Sequence, residues 1–181
     1  MPFVRAALVF YAAMALVAVV ISEVRDVPLF PDVDNLRLTI LGVIAGLSFG
    51  GVVALATRLA AGRTPLVDDL YGHFAELLGP IGWLEAFILA LASALGEELL
   101  FRGALQPAWG LWTTSLVFAA AHLPPRLELV SWTVFAWLMG LALGWSVDAT
   151  GGLYGAIGAH FVVNFFNLEL AGRIARARSE R

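Results

Sequence analysis

Cysteine is absent from this chain, and so is lysine. The first absence excludes a disulfide framework, a thiol nucleophile and a Cys-ligated metal. The second leaves arginine as the source of all eleven basic residues and excludes a Ser-Lys dyad or a Schiff-base lysine. Charge of any sign is scarce. Only 14% of the 181 residues are charged, against about a quarter in a typical soluble domain. What fills the space is apolar: 60% of the chain is hydrophobic, with a mean hydropathy of +0.85. A soluble core of this size could not hide that much apolar surface. Several stretches exceed the roughly 18 apolar residues that mark a membrane-spanning helix. The expectation is one all-α membrane domain over residues 1–181, a polytopic helix bundle. Membrane lipids are its surroundings, and no nucleic-acid partner is expected.

Six apolar stretches follow one another. The first runs from about Phe3 to Ile21, slightly long for a signal peptide and without a clear cleavage site, so it reads as a retained helix. A loop from Ser22 to Arg37 holds Glu23, Arg25, Asp26, Asp32 and Asp34 and is broken by Pro28 and Pro31. The second span covers about Leu38 to Ala60. Its Gly42, Gly46 and Gly50 form a small-residue stripe at four-residue spacing, which lets another helix come close. Ala61 to Gly79 is polar and amphipathic, the pattern of a short interfacial helix. The remaining spans are about Ile81–Leu105, Trp109–His122 (stopped by Pro124-Pro125), Leu127–Val147 and Leu153–Leu170. Residues 171–181 form a basic tail.

With six spans both termini share a side. That side holds Arg5, Arg58, Arg63, Arg126, Arg173, Arg176, Arg178 and Arg181, and the other holds Arg25, Arg37 and Arg102. The asymmetry predicts cytoplasmic termini in a cell membrane.

Against this apolar background a few side chains need a reason to be where they are, because an ionisable group in a span costs several kcal/mol on most scales. Glu97 and Glu98 are adjacent, about 100° apart on a helix, so they cannot do the same job. Glu98 and Arg102 are four apart and share a face, acid first. Glu97 has no charge partner in its own helix, and a lone carboxylate in a low-dielectric site suits general acid or base work. His122 ends the fourth span, with Phe118 one turn earlier on the same face, placed to wall a site. His160 and Asn164 are i and i+4 in the last span, behind a run of small residues. Each has a bland reading in helix packing. Together they supply a base, two imidazoles and an amide donor, which suffices to activate a water and hold an oxyanion.

In this order and spacing, Glu97-Glu98-x-x-x-Arg102, Phe118-x-x-x-His122 and His160-x-x-x-Asn164 resemble the three-motif signature of the CPBP family. These are the CAAX protease, Abi and bacteriocin-processing intramembrane peptidases. The resemblance covers about Ile81 to Leu170, the expected catalytic core. It implies an intramembrane endopeptidase acting on a membrane-anchored protein or peptide. It implies Glu97 as the base that activates water, His122 sharing that water, and His160 with Asn164 as the oxyanion hole. Glu98 and Arg102 would orient the site.

The family is described both as glutamic and as metallopeptidases. A zinc version would use Glu97, His122 and His160, but the chain lacks His-Glu-x-x-His. The metal-free reading is favoured, with no cofactor. The chain is short for the family, whose members often have eight helices, so a CAAX substrate is only an analogy. A rival string, Gly46-x-Ser48-x-Gly50, would need a strand-to-helix turn that a span does not offer. A non-catalytic scaffold or immunity protein is the other alternative.

One geometric demand follows. If the chain turns near Gln106-Pro107, Glu97 and His122 lie at unequal distances from the turn. Straight helices then leave them about 8 Å apart in depth at 1.5 Å per residue. For them to meet, the fourth helix must be tilted, or short and partly submerged.

Overall fold

The computed structural model describes residues 2–30, 35–124, 126 and 129–180. Pro31, Asp32, Asp34, Pro125, Leu127 and Arg181 lie outside the described residues. Among the described residues the chain is all helix: α1 (Pro2–Arg25), α2 (Leu36–Ala60), α3 (Pro65–Leu78), α4 (Trp83–Glu98), a π-helical segment (Leu99–Leu105), α5 (Gln106–Ala121), α6 (Val130–Thr150) and α7 (Tyr154–Ser179). The protein is an all-α membrane bundle. α1, α2 and α6 are each long and apolar enough to cross a membrane. A fourth candidate crossing is the bent pair of α3 with the helical stretch that follows it. Large side chains such as Val9, Leu16, Ile44, Val52, Leu138 and Trp145 face outward, as lipid contact requires.

The bundle is built on close backbone approach. A Cβ placed on Gly155 of α7 would lie 2.6 Å from the Gly42 carbonyl oxygen, and one on Gly50 would lie 2.6 Å from that of Ala159. The stripe on α2 therefore seats α7 directly, backbone against backbone. Gly96 does the same for α1: its Cβ would sit 2.8 Å from the Tyr11 carbonyl oxygen. Without a hydrophobic drive between helices in lipid, such contacts carry the packing.

The turn expected at Gln106-Pro107 is elsewhere. Helical structure passes through both residues, with Pro107 in the first turn of α5, where a missing N–H is tolerated. The single non-helical residue is Gly110, at φ 75 and ψ 168. That conformation is essentially open to glycine only. The chain reverses around it, since the Phe101 and Phe118 rings are 5.0 Å apart across the turn. Glu97 is thirteen residues before Gly110 and His122 twelve after it. The two arms are almost equal, and the depth mismatch disappears.

α7 also runs further than its apolar stretch, to Ser179, so the basic tail is mostly helical. Arginines tie it to its neighbours. Arg176 donates to the Ile81 carbonyl, Arg178 donates to that of Gly72 in α3, and Arg58 of α2 lies 3.8 Å from Glu169.

The α2–α7 contact predicts a contrast between two neighbouring glycines. Gly50→Ala should lower the thermal midpoint of the detergent-purified protein, by the roughly 1–3 kcal/mol typical of overpacking. Gly51→Ala, which meets nothing within 4 Å, should be neutral or slightly stabilising.

Candidate active site

Glu98 is fully buried. Its Oε2 lies 3.3 Å from Arg102 Nε, and its Oε1 is 2.7 Å from His160 Nδ1. One carboxylate thus holds a cation from its own helix and an imidazole from α7. Arg102, 2% exposed, donates from Nη2 to the Gly140 carbonyl of α6, and its guanidinium lies 4.3 Å from the centre of the Phe118 ring. The π segment that carries Arg102 is of the kind frequently found at functional sites.

Glu97, turned away from that pair, faces the other side. Its Oε2 is 3.7 Å from His122 Nε2 and 3.8 Å from His160 Nε2. The residue is buried, and this Oε2 has no hydrogen-bond partner among the described residues. Three polar atoms from α4, the end of α5 and α7 thus converge just beyond direct hydrogen-bond range. Both imidazoles are fixed from behind. His122 Nδ1 donates to the Phe118 carbonyl at 2.8 Å, and His160 Nδ1 faces Glu98. A carbonyl only accepts, so His122 carries a proton on Nδ1, and in the neutral ring the lone pair is at Nε2. Phe118 stacks against His122, with ring centres 4.4 Å apart.

Asn164, one turn along α7 from His160, is held by Ser93 of α4. Its Nδ2 donates to Ser93 Oγ at 2.9 Å, and Ser93 donates to the Ala90 carbonyl. Ser93, Glu97, Phe118, His122, His160 and Asn164 line a cavity of about 520 Å³ whose other walls come largely from α1, α3 and α6. The cavity reaches Glu97, His122, His160 and Asn164. Ser48 is not among its lining residues.

Sequence reasoning missed three contributors. Ser93 carried no signal. Tyr11, whose hydroxyl approaches the Glu97 carboxyl from α1, was visible only as a lone tyrosine in an apolar run. Asn167, which also lines the cavity, had a signal: it is seven residues after His160 and so on the same helical face.

Comparison with known proteins places the chain in a family. A family model described as type II CAAX prenyl endopeptidase Rce1-like matches residues 79–166, which include all seven motif residues. The Bacillus subtilis (strain 168) protein named as uncharacterized protein YpbD is 34% identical over 162 residues, covering 87% of this chain and 81% of that protein. The chain belongs to the Rce1-like CPBP family. No solved structure matches it. CPBP membership supports an intramembrane peptidase at the level of the family. The motif residues of this CPBP chain come from α4, the π segment, α5 and α7, whereas α1 to α3 lie outside the matched region and supply cavity walls.

As donors for zinc, Glu97 Oε2 and the two Nε2 atoms are of suitable chemical type. Imidazoles tied at Nδ1 to a carbonyl and a carboxylate also resemble metal-binding histidines. Among the described residues, however, no three His, Cys, Asp or Glu side chains are grouped closely enough to hold an ion.

The charge pair makes a stability prediction. Arg102→Met strands a buried carboxylate and should cost about 3–5 kcal/mol, seen as loss of monodisperse protein in detergent. Glu98→Leu combined with Arg102→Met strands no charge there and should recover most of that loss.

Proposed function

We propose that this protein is an intramembrane endopeptidase that hydrolyses a peptide bond of a membrane-associated protein or peptide through a water activated by Glu97 and His122, without a metal. The observation that carries this is the position of Glu97 Oε2, buried, without a hydrogen bond among the described residues, and 3.7–3.8 Å from two imidazole nitrogens at the wall of a cavity. A water between Glu97 Oε2 and His122 Nε2 donates a hydrogen bond to each and keeps its lone pairs free for the scissile carbonyl. On attack, the water oxygen bonds to the carbonyl carbon, its proton passes to Glu97, and the carbonyl becomes an oxyanion. The C–N bond then breaks as Glu97 returns that proton to the leaving amine.

His160 and Asn164 hold the oxyanion. His160 can donate from Nε2 only if it also keeps its Nδ1 proton, that is, as an imidazolium. The buried groups favour that form: Glu97 and Glu98 carry two negative charges, and Arg102 with His160 carries two positive ones. The cluster then sums to zero in an apolar medium, where a net charge would be costly. Asn164 uses one amide proton on Ser93 and keeps the other for the oxyanion.

The apolar cavity walls, from Phe10, Leu70, Phe74, Leu89 and Met139 among others, suit a substrate delivered from the bilayer, and lipids are the protein's other partners. The arginines at the ends of α2 and α7 support cytoplasmic termini in a cell membrane. Arg102 is buried inside the bundle and drops out of that tally.

The test is cleavage of a panel of membrane-anchored peptides by purified protein, with and without a chelator. Glu97→Gln should fold normally and lose at least about a thousandfold in kcat. Ser48→Ala should retain full activity, and the chelator should have no effect. Equal cleavage by Glu97→Gln contradicts the catalytic reading. Loss on chelation with recovery on added zinc replaces the metal-free step with a metal-assisted one.

A further inference from the structure

The polar face of α7 does not stop at Asn164. Asn167 lies seven residues beyond His160, only about 20° round the helix from it, and lines the same cavity. Its Oδ1 is 2.7 Å from the Tyr71 hydroxyl of α3 and 2.9 Å from Thr57 Oγ1 of α2. Thr57 also approaches the Ala54 carbonyl, at 3.0 Å, so its one proton is shared. Two hydroxyls take up both lone pairs of Oδ1, which leaves the amide with donors alone. Its Nδ2 has no acceptor among the described residues and is not sealed off from the cavity. Three helices thus fix one side-chain amide with its NH2 group free. None of these three residues is needed for the hydrolysis described above.

Distance gives this group a meaning. Seven residues of helix span about 10.5 Å. An extended peptide covers about 3.3–3.6 Å per residue. A chain running from the catalytic atoms along α7 therefore reaches Asn167 after about three residues.

We propose that the Asn167 amide, held by Tyr71 and Thr57, is a substrate-recognition site that donates a hydrogen bond to one backbone carbonyl of the bound peptide, about three residues from the scissile bond. This rests on the peptidase reading for its register, though not for the binding itself. The site is indifferent to side chains and reads the extended backbone. It fixes how far the chain must continue past the cleaved bond.

The test uses the best-binding peptide of the membrane-anchored panel, synthesised as a set in which each backbone carbonyl in turn is replaced by a methylene. Binding is read by tryptophan fluorescence with the Glu97→Gln chain, which leaves the peptide intact, and cleavage is read with the wild type. One replacement, about three residues from the cleaved bond, should weaken binding by roughly 3- to 10-fold, the size of a single net hydrogen bond. The same replacement should cost nothing further once Asn167→Ala is added, and the added variant should raise KM while leaving kcat alone. Asn167→Asp keeps the shape but removes the donors, and carries the same test should the alanine variant fold poorly. If every replacement weakens binding to the same extent with and without Asn167, the subsite does not exist. If the coupling is present but the wild type cleaves nothing, the subsite stands and the peptidase reading falls.

Discussion

A carboxylate with no route to water must be neutralised where it stands, and in this protein Glu98 is that carboxylate. It draws Arg102 to one oxygen and His160 to the other. Arg102 in turn reaches the Gly140 carbonyl and the Phe118 ring. A single buried charge thereby ties the π segment to α5, α6 and α7. On a water-exposed surface such a pair contributes at most about 1 kcal/mol. Inside a bundle, removing one member strands the other and costs several kcal/mol. The position of His160, and so one wall of the site, is set by this demand.

The orientation of Glu97 follows from the same geometry. Adjacent residues on a helix point about 100° apart, so fixing Glu98 against α7 turns Glu97 toward the cavity. One carboxylate is enclosed and paired, while its neighbour meets two imidazole nitrogens at a distance that leaves room between them. Dividing two like groups by environment is how a single fold assigns different chemical tasks to them. The small residues serve this end too. Gly96 lets α1 press Tyr11 against α4, and the α2 stripe presses α7 inward, so the polar groups meet in a bundle with little other polar content.

Much of this was legible in the sequence because apolar surroundings make each polar residue conspicuous. The helical spans, the glycine stripe and the Glu98–Arg102 spacing follow from short-range periodicity, and the three motifs stood out as a set through their resemblance to a known family. The meeting of Glu97 and His122 did not, because it depends on where the chain turns. Proline looked like the turn, but at the start of α5 it is harmless, whereas Gly110 adopts a backbone conformation that no local pattern announces. Ser93 and Thr57 were hidden for another reason: a lone short hydroxyl in an apolar helix usually bonds its own backbone, as both also do. Asn167 was readable from its seven-residue offset but was overlooked beside the stronger His160–Asn164 pair. The end of α7 was masked by its charge, since arginines that look like a solvated tail bind the carbonyls of Gly72 within α3 and of Ile81 just before α4.

The account turns on what occupies the space between Glu97 Oε2, His122 Nε2 and His160 Nε2. A high-resolution experimental structure in lipid, with anomalous scattering recorded at the zinc edge, observes it directly. The account predicts a water within about 2.6–3.2 Å of Glu97 Oε2 and His122 Nε2, and no anomalous peak. An ion bonded at about 2.0–2.2 Å to all three atoms, or a His122 ring turned out to lipid, would contradict it.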